Sequence, residues 1–386
     1  MPIGRCVSGL TTTGSTILSG IDNLPMSINL WRHELNWIAG MGIIIFAVAI
    51  LPILGIGGMQ LYKAETPGSV KASDLPPRIA QTAKALWLVY AGITVVCMFA
   101  LHLAGMSWFD AICHAFSTMS LGGFSTHDKS IGFFNSLSIE RVLIVFQLLA
   151  AINFATHFVA LRKQSLKPYI NDREATTFLL LILGSILIAA GVLFHAGTYP
   201  DFMTALRYAS FNVVSVATDS GYTNQDFNQW PIFVPMWMLL LSCLSASSGS
   251  TGGGIRMIRT IILMKQARLE MFKFIHPYAV RPMKIGGTII SNNIVNSVTG
   301  FIFLYFMSIV ILTFTLLLSG LDFITALSAT ITCINNAGPG LNEVGPAGNY
   351  VNLGDFQKAV CIFAMLLGRV QIFSIVILFV PEFWRK

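Results

Sequence analysis

A short polar run closing on a glycine occurs four times in this chain, each time beside apolar stretches. No other feature constrains the fold as much. The runs are Thr11-Thr12-Thr13-Gly14, Ser120-Leu121-Gly122-Gly123, Thr218-Asp219-Ser220-Gly221 and Asn335-Asn336-Ala337-Gly338. Their glycines lie 109, 98 and 117 residues apart, a regular period that marks four copies of one unit. Ahead of the last three, a half-apolar segment begins at Asp110, Asp201 or Asp322, residues suited to N-capping a helix. Each segment runs about ten to fifteen residues, short of the roughly 20 that a membrane span needs. The expected unit is helix, short re-entrant helix, polar glycine loop, helix. Thr11–Thr16 reads as the tail of the first copy, and Met1–Ser19 is neither a signal peptide nor a spanning helix.

Seven apolar stretches are long enough to span: 36–57, 83–104, 139–161, 177–196, 231–263, 291–319 and 358–381. Of the 386 residues, 54% are hydrophobic and 11% charged, against about 25% charged in an average soluble domain. Those proportions exclude a soluble globular enzyme and a disordered chain. The expected fold is an all-α polytopic membrane protein with pseudo-four-fold repeats around a central ion pore. Its units are 1–57 (a partial first repeat), 83–161, 177–263 and 291–381, joined by connectors 58–82, 162–176 and 264–290. The six cysteines show no CxxC or Cys/His spacing and read as packing residues. The fifth apolar stretch is interrupted by Ser245–Gly254, SASSGSTGGG. Irregular backbone at membrane depth is tolerated only where it is buried in protein or lines a water-filled cavity.

Charge supplies an orientation. Segments 58–84, 162–176, 256–288 and 382–386 hold 17 Lys/Arg and 6 Asp/Glu. The opposite side, with the glycine loops, holds 5 and 11, leaving out Arg5 and Arg369. By the positive-inside rule the basic segments are cytoplasmic and the glycine loops face outside. The basic balance therefore reports topology, and no nucleic-acid partner is expected. The 256–288 loop, with seven Lys/Arg and only Glu270 against them, suits anionic lipid or an acidic partner face. No nucleotide-binding glycine motif occurs, and no organic cofactor is expected.

Chemically, the loops suit a cation. A crossing ion must lose part of its water shell, which rings of backbone carbonyls can replace. Glycine permits the backbone angles this needs, and the C-terminal end of each re-entrant helix adds negative potential. The loops carry no Lys or Arg. Asp219 either raises cation affinity or accepts hydrogen bonds from its own loop. A membrane enzyme is disfavoured, because Cys113-His114 and the serines of 245–250 lack a base and an orienting group. Proton or sodium coupling would call on His102, His114, His157 or His195.

The runs Gly9–Thr16, Phe116–Asp128 and Asn335–Leu341 resemble the selectivity-filter segments of the Trk/Ktr/HKT superfamily, and most of all the bacterial TrkH-type potassium uptake subunits. The resemblance covers nearly the whole chain. It implies K⁺ as the transported ion, with a filter at Thr12, Thr13, Gly14, Leu121, Gly122, Gly123, Asp219, Ser220, Gly221, Asn336, Ala337 and Gly338. It also implies a homodimer in the inner membrane and a cytoplasmic TrkA-type subunit that binds nucleotides and gates the pore. Ser247–Ile255 resembles the family's intramembrane loop. Gly249, Ser250, Thr251, Gly252, Gly253 and Gly254 then form a gate faced by Arg369. An arginine among apolar residues normally faces a cavity or a partner. The family pattern places further helices before the first loop, so the expectation is a truncated first repeat. The alternatives are a non-conducting remnant, a regulatory subunit or a coupled cation symporter.

Overall fold

The computed structural model describes residues 2–45, 79–244, 246–278, 281–286, 288–370 and 372. The connector 58–78 and the ends of the first and last expected spans lie outside them. Among the described residues the secondary structure is helical, apart from a two-residue-per-strand antiparallel hairpin of β1 (Lys284–Ile285) and β2 (Thr288–Ile289) that the sequence reading did not expect.

The helices in chain order begin with α1 (Pro2–Leu10), α2 (Met26–Ile45), α3 (Ile79–Leu103) and α4 (Trp108–Met119). Next come α5 (Leu137–Ala151), α6 (Phe154–Lys163), α7 (Lys167–Asn171), α8 (Arg173–His195) and α9 (Phe202–Ala217). The series closes with α10 (Phe233–Cys243), α11 (Met257–Ile275), α12 (Asn292–Leu318), α13 (Phe323–Asn335) and α14 (Asp355–Arg369). One packing pattern recurs. The short helices α4, α9 and α13 each sit between a preceding long helix (α3, α8, α12) and a following one (α5, α10, α14). In the first unit α1 packs on α2.

Within the described residues, Ala83–Leu103, Arg173–His195 and Asn292–Leu318 are long and apolar enough to cross a membrane. Their outward faces stay apolar, with Leu88, Val96, Leu180, Leu187, Phe303 and Phe314 exposed. Water would not tolerate such faces, and lipid does. Asp201 and Asp322 cap their helices, accepting from Thr204 N at 2.8 Å and Thr325 N at 3.1 Å. Asp110 does not. Ser107 is the cap there, accepting from Asp110 N at 3.1 Å, and the aspartate accepts the Ser107 hydroxyl from one turn inside.

The expected span 139–161 is not one helix. It breaks at Ile152–Asn153 into α5 and α6, bent by 98°. The cause is competition for backbone partners. Ser247 N donates to Ala151 O at 2.9 Å, and Phe154 N donates to Gly249 O at 3.2 Å. Asn153 then caps α6 by accepting from Ala155 N at 2.8 Å. The interrupted fifth stretch leaves helix after Cys243 and re-enters it at Met257, so each break supplies partners for the other.

Candidate functional site: a ring of four glycine loops

Each short helix ends in the same turn. Thr12, Leu121, Asp219 and Asn336 adopt left-handed backbone, with φ of 52°, 53°, 61° and 60°. The next residue donates to the carbonyl five positions back: Thr13 to Ser8, Gly122 to Ser117, Ser220 to Ser215 and Ala337 to Thr332, at 2.8–2.9 Å. The left-handed residue donates three positions back, to Gly9, Thr118, Val216 and Cys333. This is the Schellman turn, whose left-handed position usually holds glycine. Here threonine, leucine, aspartate and asparagine occupy it, at a conformational cost for threonine and leucine above all.

Two residues on, Gly14, Gly123, Gly221 and Gly338 are again left-handed, with φ of 74°, 64°, 76° and 86°. They interlock around a closed circuit. A Cβ on Gly14 would sit 2.3 Å from Gly122 O, and one on Gly123 would sit 2.0 Å from Ser220 O. A Cβ on Gly221 would meet Ala337 O at 2.3 Å, and one on Gly338 would meet Thr13 O at 2.7 Å. Every loop thus seats its glycine on the carbonyl that precedes the next loop's glycine, in the order first, second, third, fourth, first. Glycine is required twice over, by backbone angle and by space.

Different side chains brace the four loops. Asn36 Nδ2 donates to Gly122 O at 3.2 Å, and Gln147 Nε2 to Ser220 Oγ at 3.0 Å. Asn336 Nδ2 donates to Thr13 Oγ1 at 2.9 Å, and the Tyr350 hydroxyl to Gly338 O at 2.9 Å. The four ring glycines line one open cavity, together with Ser15, Thr16, Ser125 and Asp128. At its rim Asp22 contacts His127 Nδ1 and accepts from Asp128 N at 3.2 Å. The hydrogen bond with His127 holds the Asp22 carboxyl below its ordinary value. No group of three or more His, Cys, Asp and Glu side chains converges among the described residues. The oxygens that the interlocked glycines meet are the carbonyls of Thr13, Gly122, Ser220 and Ala337.

Away from this cavity, at the C-terminal ends of the short helices, lies the loop between α10 and α11. Thr251 Oγ1 donates to Met119 O at 3.0 Å. A Cβ on Gly253 would sit 2.0 Å from Asn335 O, and Gly252 lies near Thr218 O. Ser250 Oγ donates to Ser247 O at 2.6 Å, folding the loop on itself. Arg369 reaches it from the last described helix, with Nη1 to Thr251 O at 3.1 Å and Nη2 to Ala39 O at 3.2 Å. Gly252, Gly253, Gly254 and Arg369 share a small cavity with Arg256 and Arg259. Arg369 and the Gly249–Gly254 loop, paired in the sequence reading, are thus in contact through Thr251 and the three glycines. Sequence reasoning missed Asn36, Asn153 and Glu174. Asn153 packs against Gly249, and Glu174 accepts from two backbone N–H groups of the loop region. The only local signals were a polar residue inside an apolar stretch, for Asn153, and a carboxylate at a helix start, for Glu174.

Re-entrant loops closing a ring within a bundle of apolar surface define a polytopic α-helical membrane transport protein. The chain belongs to the TrkH family of cation transport proteins, whose pattern matches residues 5–386. It is 45% identical over 379 residues to a Trk system potassium uptake protein TrkH of Halomonas elongata, covering 98% of this chain and 78% of that one. It is 41% identical over 380 residues to a Trk system potassium uptake protein TrkG of Escherichia coli, with the same coverage. A crystal structure of the potassium transporter TrkH from Vibrio parahaemolyticus superposes with a TM-score of 0.88 at 41% identity, covering 98% of this chain and 77% of that one. The family is one of transporters and not of enzymes.

Proposed function

We propose that this chain carries potassium ions inward across a bacterial inner membrane, through the ring of glycine loops. The observation that carries the reading is the circuit itself: four loops, one backbone geometry, each glycine seated on the next loop's carbonyl. The carbonyls of Thr13, Gly122, Ser220 and Ala337 replace the ion's water, with the flanking residues of each loop holding them in place. The convergent C-terminal ends of four short helices add negative potential. The membrane voltage drives entry, worth about 2.3 kcal/mol per charge per 100 mV. The glycine loops face outside and the basic connectors lie in the cytoplasm. The four units run 1–57, 83–161, 177–263 and 291–381.

Gly249–Gly254 is the gate in this reading. Arg369 holds it shut by gripping Thr251 O, and its positive charge opposes a cation below the ring. The family resemblance adds a second copy of the chain and a cytoplasmic TrkA-type, nucleotide-binding subunit that controls the gate.

The test is rubidium uptake in cells lacking their own potassium importers but retaining the cytoplasmic partner. Uptake that disappears when any ring glycine becomes alanine, at unchanged membrane levels, supports the reading. Uptake that persists in all four alanine variants overturns the ring as the ion path. No uptake by the unaltered chain points instead to a non-conducting, regulatory role.

A further inference from the structure

One carboxylate closes the base of the intramembrane loop. Glu174, the second residue of α8, is 3% exposed. Its Oε1 accepts from Ser248 N at 3.1 Å and from Ile258 N at 2.9 Å. Ser248 precedes Gly249–Gly254 and Ile258 follows it, so a single oxygen joins the loop's two ends. The helix bearing Glu174 is anchored in turn. Asp172 caps α8 by accepting from Glu174 N at 3.0 Å, and its other oxygen accepts the Thr156 hydroxyl of α6 at 2.9 Å. Asn153, just before α6, lies against Gly249. Thus α6, α8 and the loop form one polar joint inside an otherwise apolar bundle.

We infer that Glu174 is a positioning residue of the gate, a clasp that keeps the loop folded across the path below the ring. The inference rests on the reading of Gly249–Gly254 as a gate. Without the clasp two buried N–H groups lose their acceptor, and a buried donor without a partner is costly in the closed state. A loop that swings toward water regains partners for both. Removing the acceptor therefore favours the open loop and leaves the ring untouched.

The experiment is rubidium flux into proteoliposomes holding the full chain, normalised to reconstituted protein, with sodium flux measured alongside. Glu174→Ala is expected to raise flux on the order of threefold to tenfold, given the scale of a lost hydrogen bond, with an unchanged rubidium-to-sodium ratio. Glu174→Gln keeps an accepting oxygen and is expected to stay near the unaltered chain. A purely structural role would lower the amount of folded protein without raising flux per molecule. Unchanged or reduced flux in the alanine variant overturns the inference, as does a glutamine variant as leaky as alanine. Where the alanine variant fails to reach the bilayer, Ser248→Pro carries the test, because it removes one donor and leaves Glu174 in place. Raised flux there supports the clasp, and unchanged flux overturns it. Arg369→Ala run in parallel separates the two readings. Flux raised by Arg369→Ala alone sinks only the clasp, whereas flux raised by neither variant sinks the gate itself.

Discussion

The glycine ring and the loop beneath it are both irregular backbone inside a helical bundle, yet they are held in opposite ways. The ring repeats one backbone solution four times: a Schellman turn, then a glycine whose missing Cβ admits the neighbouring carbonyl. Among the described residues the loop occurs once. Side chains from several helices hold it, with Arg369 on Thr251 O, Glu174 at its base and Asn153 against Gly249. The ring's geometry therefore resists change at any of its members, since each loop is the neighbour's mould. The loop's geometry depends on individual polar contacts of modest energy, each removable without disturbing the backbone elsewhere. A rigid part suits discrimination and a releasable part suits gating.

The comparison breaks most visibly at the ring. In Gly221→Ala or Gly338→Ala, left-handed backbone costs an L residue about 1–2 kcal/mol, and the added Cβ collides with a carbonyl besides. With 1.4 kcal/mol worth a factor of ten, selective rubidium uptake should fall by more than about tenfold. Gly221→Asp and Gly338→Asp should abolish it. Wild-type-like potassium-over-sodium discrimination in these variants would remove the ring from the ion path.

Arg369→Ala tests the loop from the other side. It deletes two hydrogen bonds from a charged donor, each worth about 1.5–3 kcal/mol, and leaves all four ring loops intact. Only the bond to Thr251 O holds the loop, so flux should rise roughly tenfold to a hundredfold by that scale, with selectivity retained. Lost selectivity would mean that ring and loop are one mechanical unit, and unchanged flux would mean that the arginine closes nothing.

What the sequence made legible follows the same division. The ring was readable because its determinants are local: a polar run and a glycine at one end of each short helix. Arg369 and the Ser245–Gly254 interruption were readable because polar residues in apolar stretches stand out. The clasp and the braces were not. Glu174 meets partners 74 and 84 residues away, and Asn36 meets Gly122 across 86. Nothing near either residue announces such a contact. The bend at Ile152–Asn153 was hidden for the same reason, because it comes from a distant loop taking Ala151 O and not from a proline or glycine in the helix itself. The cap at Ser107 was misassigned to Asp110, since both residue types serve that position and only the backbone decides.

Asn36→Ala sharpens the contrast within the ring. It removes a brace from one ring carbonyl, Gly122 O, and leaves the ring glycines themselves in place. One such hydrogen bond is worth about 1 kcal/mol, so the potassium-to-sodium flux ratio should fall by about fivefold or less. Total flux through the gate should stay level. A loss as complete as that of the glycine variants would show that side chains, and not interlocked backbone, fix the ring.

The smallest effect is expected at the vestibule rim, where the loop leaving the first ring position is tied to the loop leaving the second. Asp22 contacts His127 Nδ1 and accepts from Asp128 N, and the hydrogen bond with His127 holds its carboxyl below the ordinary 3.8. A carboxylate whose folded value is depressed adds stability above its unfolded value, and loses that contribution as pH falls through the folded value. The tie is therefore at full strength from about pH 5 upward and fades below pH 3.8. Asp22 is 42% exposed, and exposed pairs contribute little. Asp22→Asn should thus lower Tm by about 2 °C or less at neutral pH, with the difference from the unaltered chain closing in strong acid. Melting in detergent across pH 3–7 checks this. A gap that widens on acidification would mean that the rim is held by something other than the ionised carboxylate, and that the vestibule draws its order from the ring below.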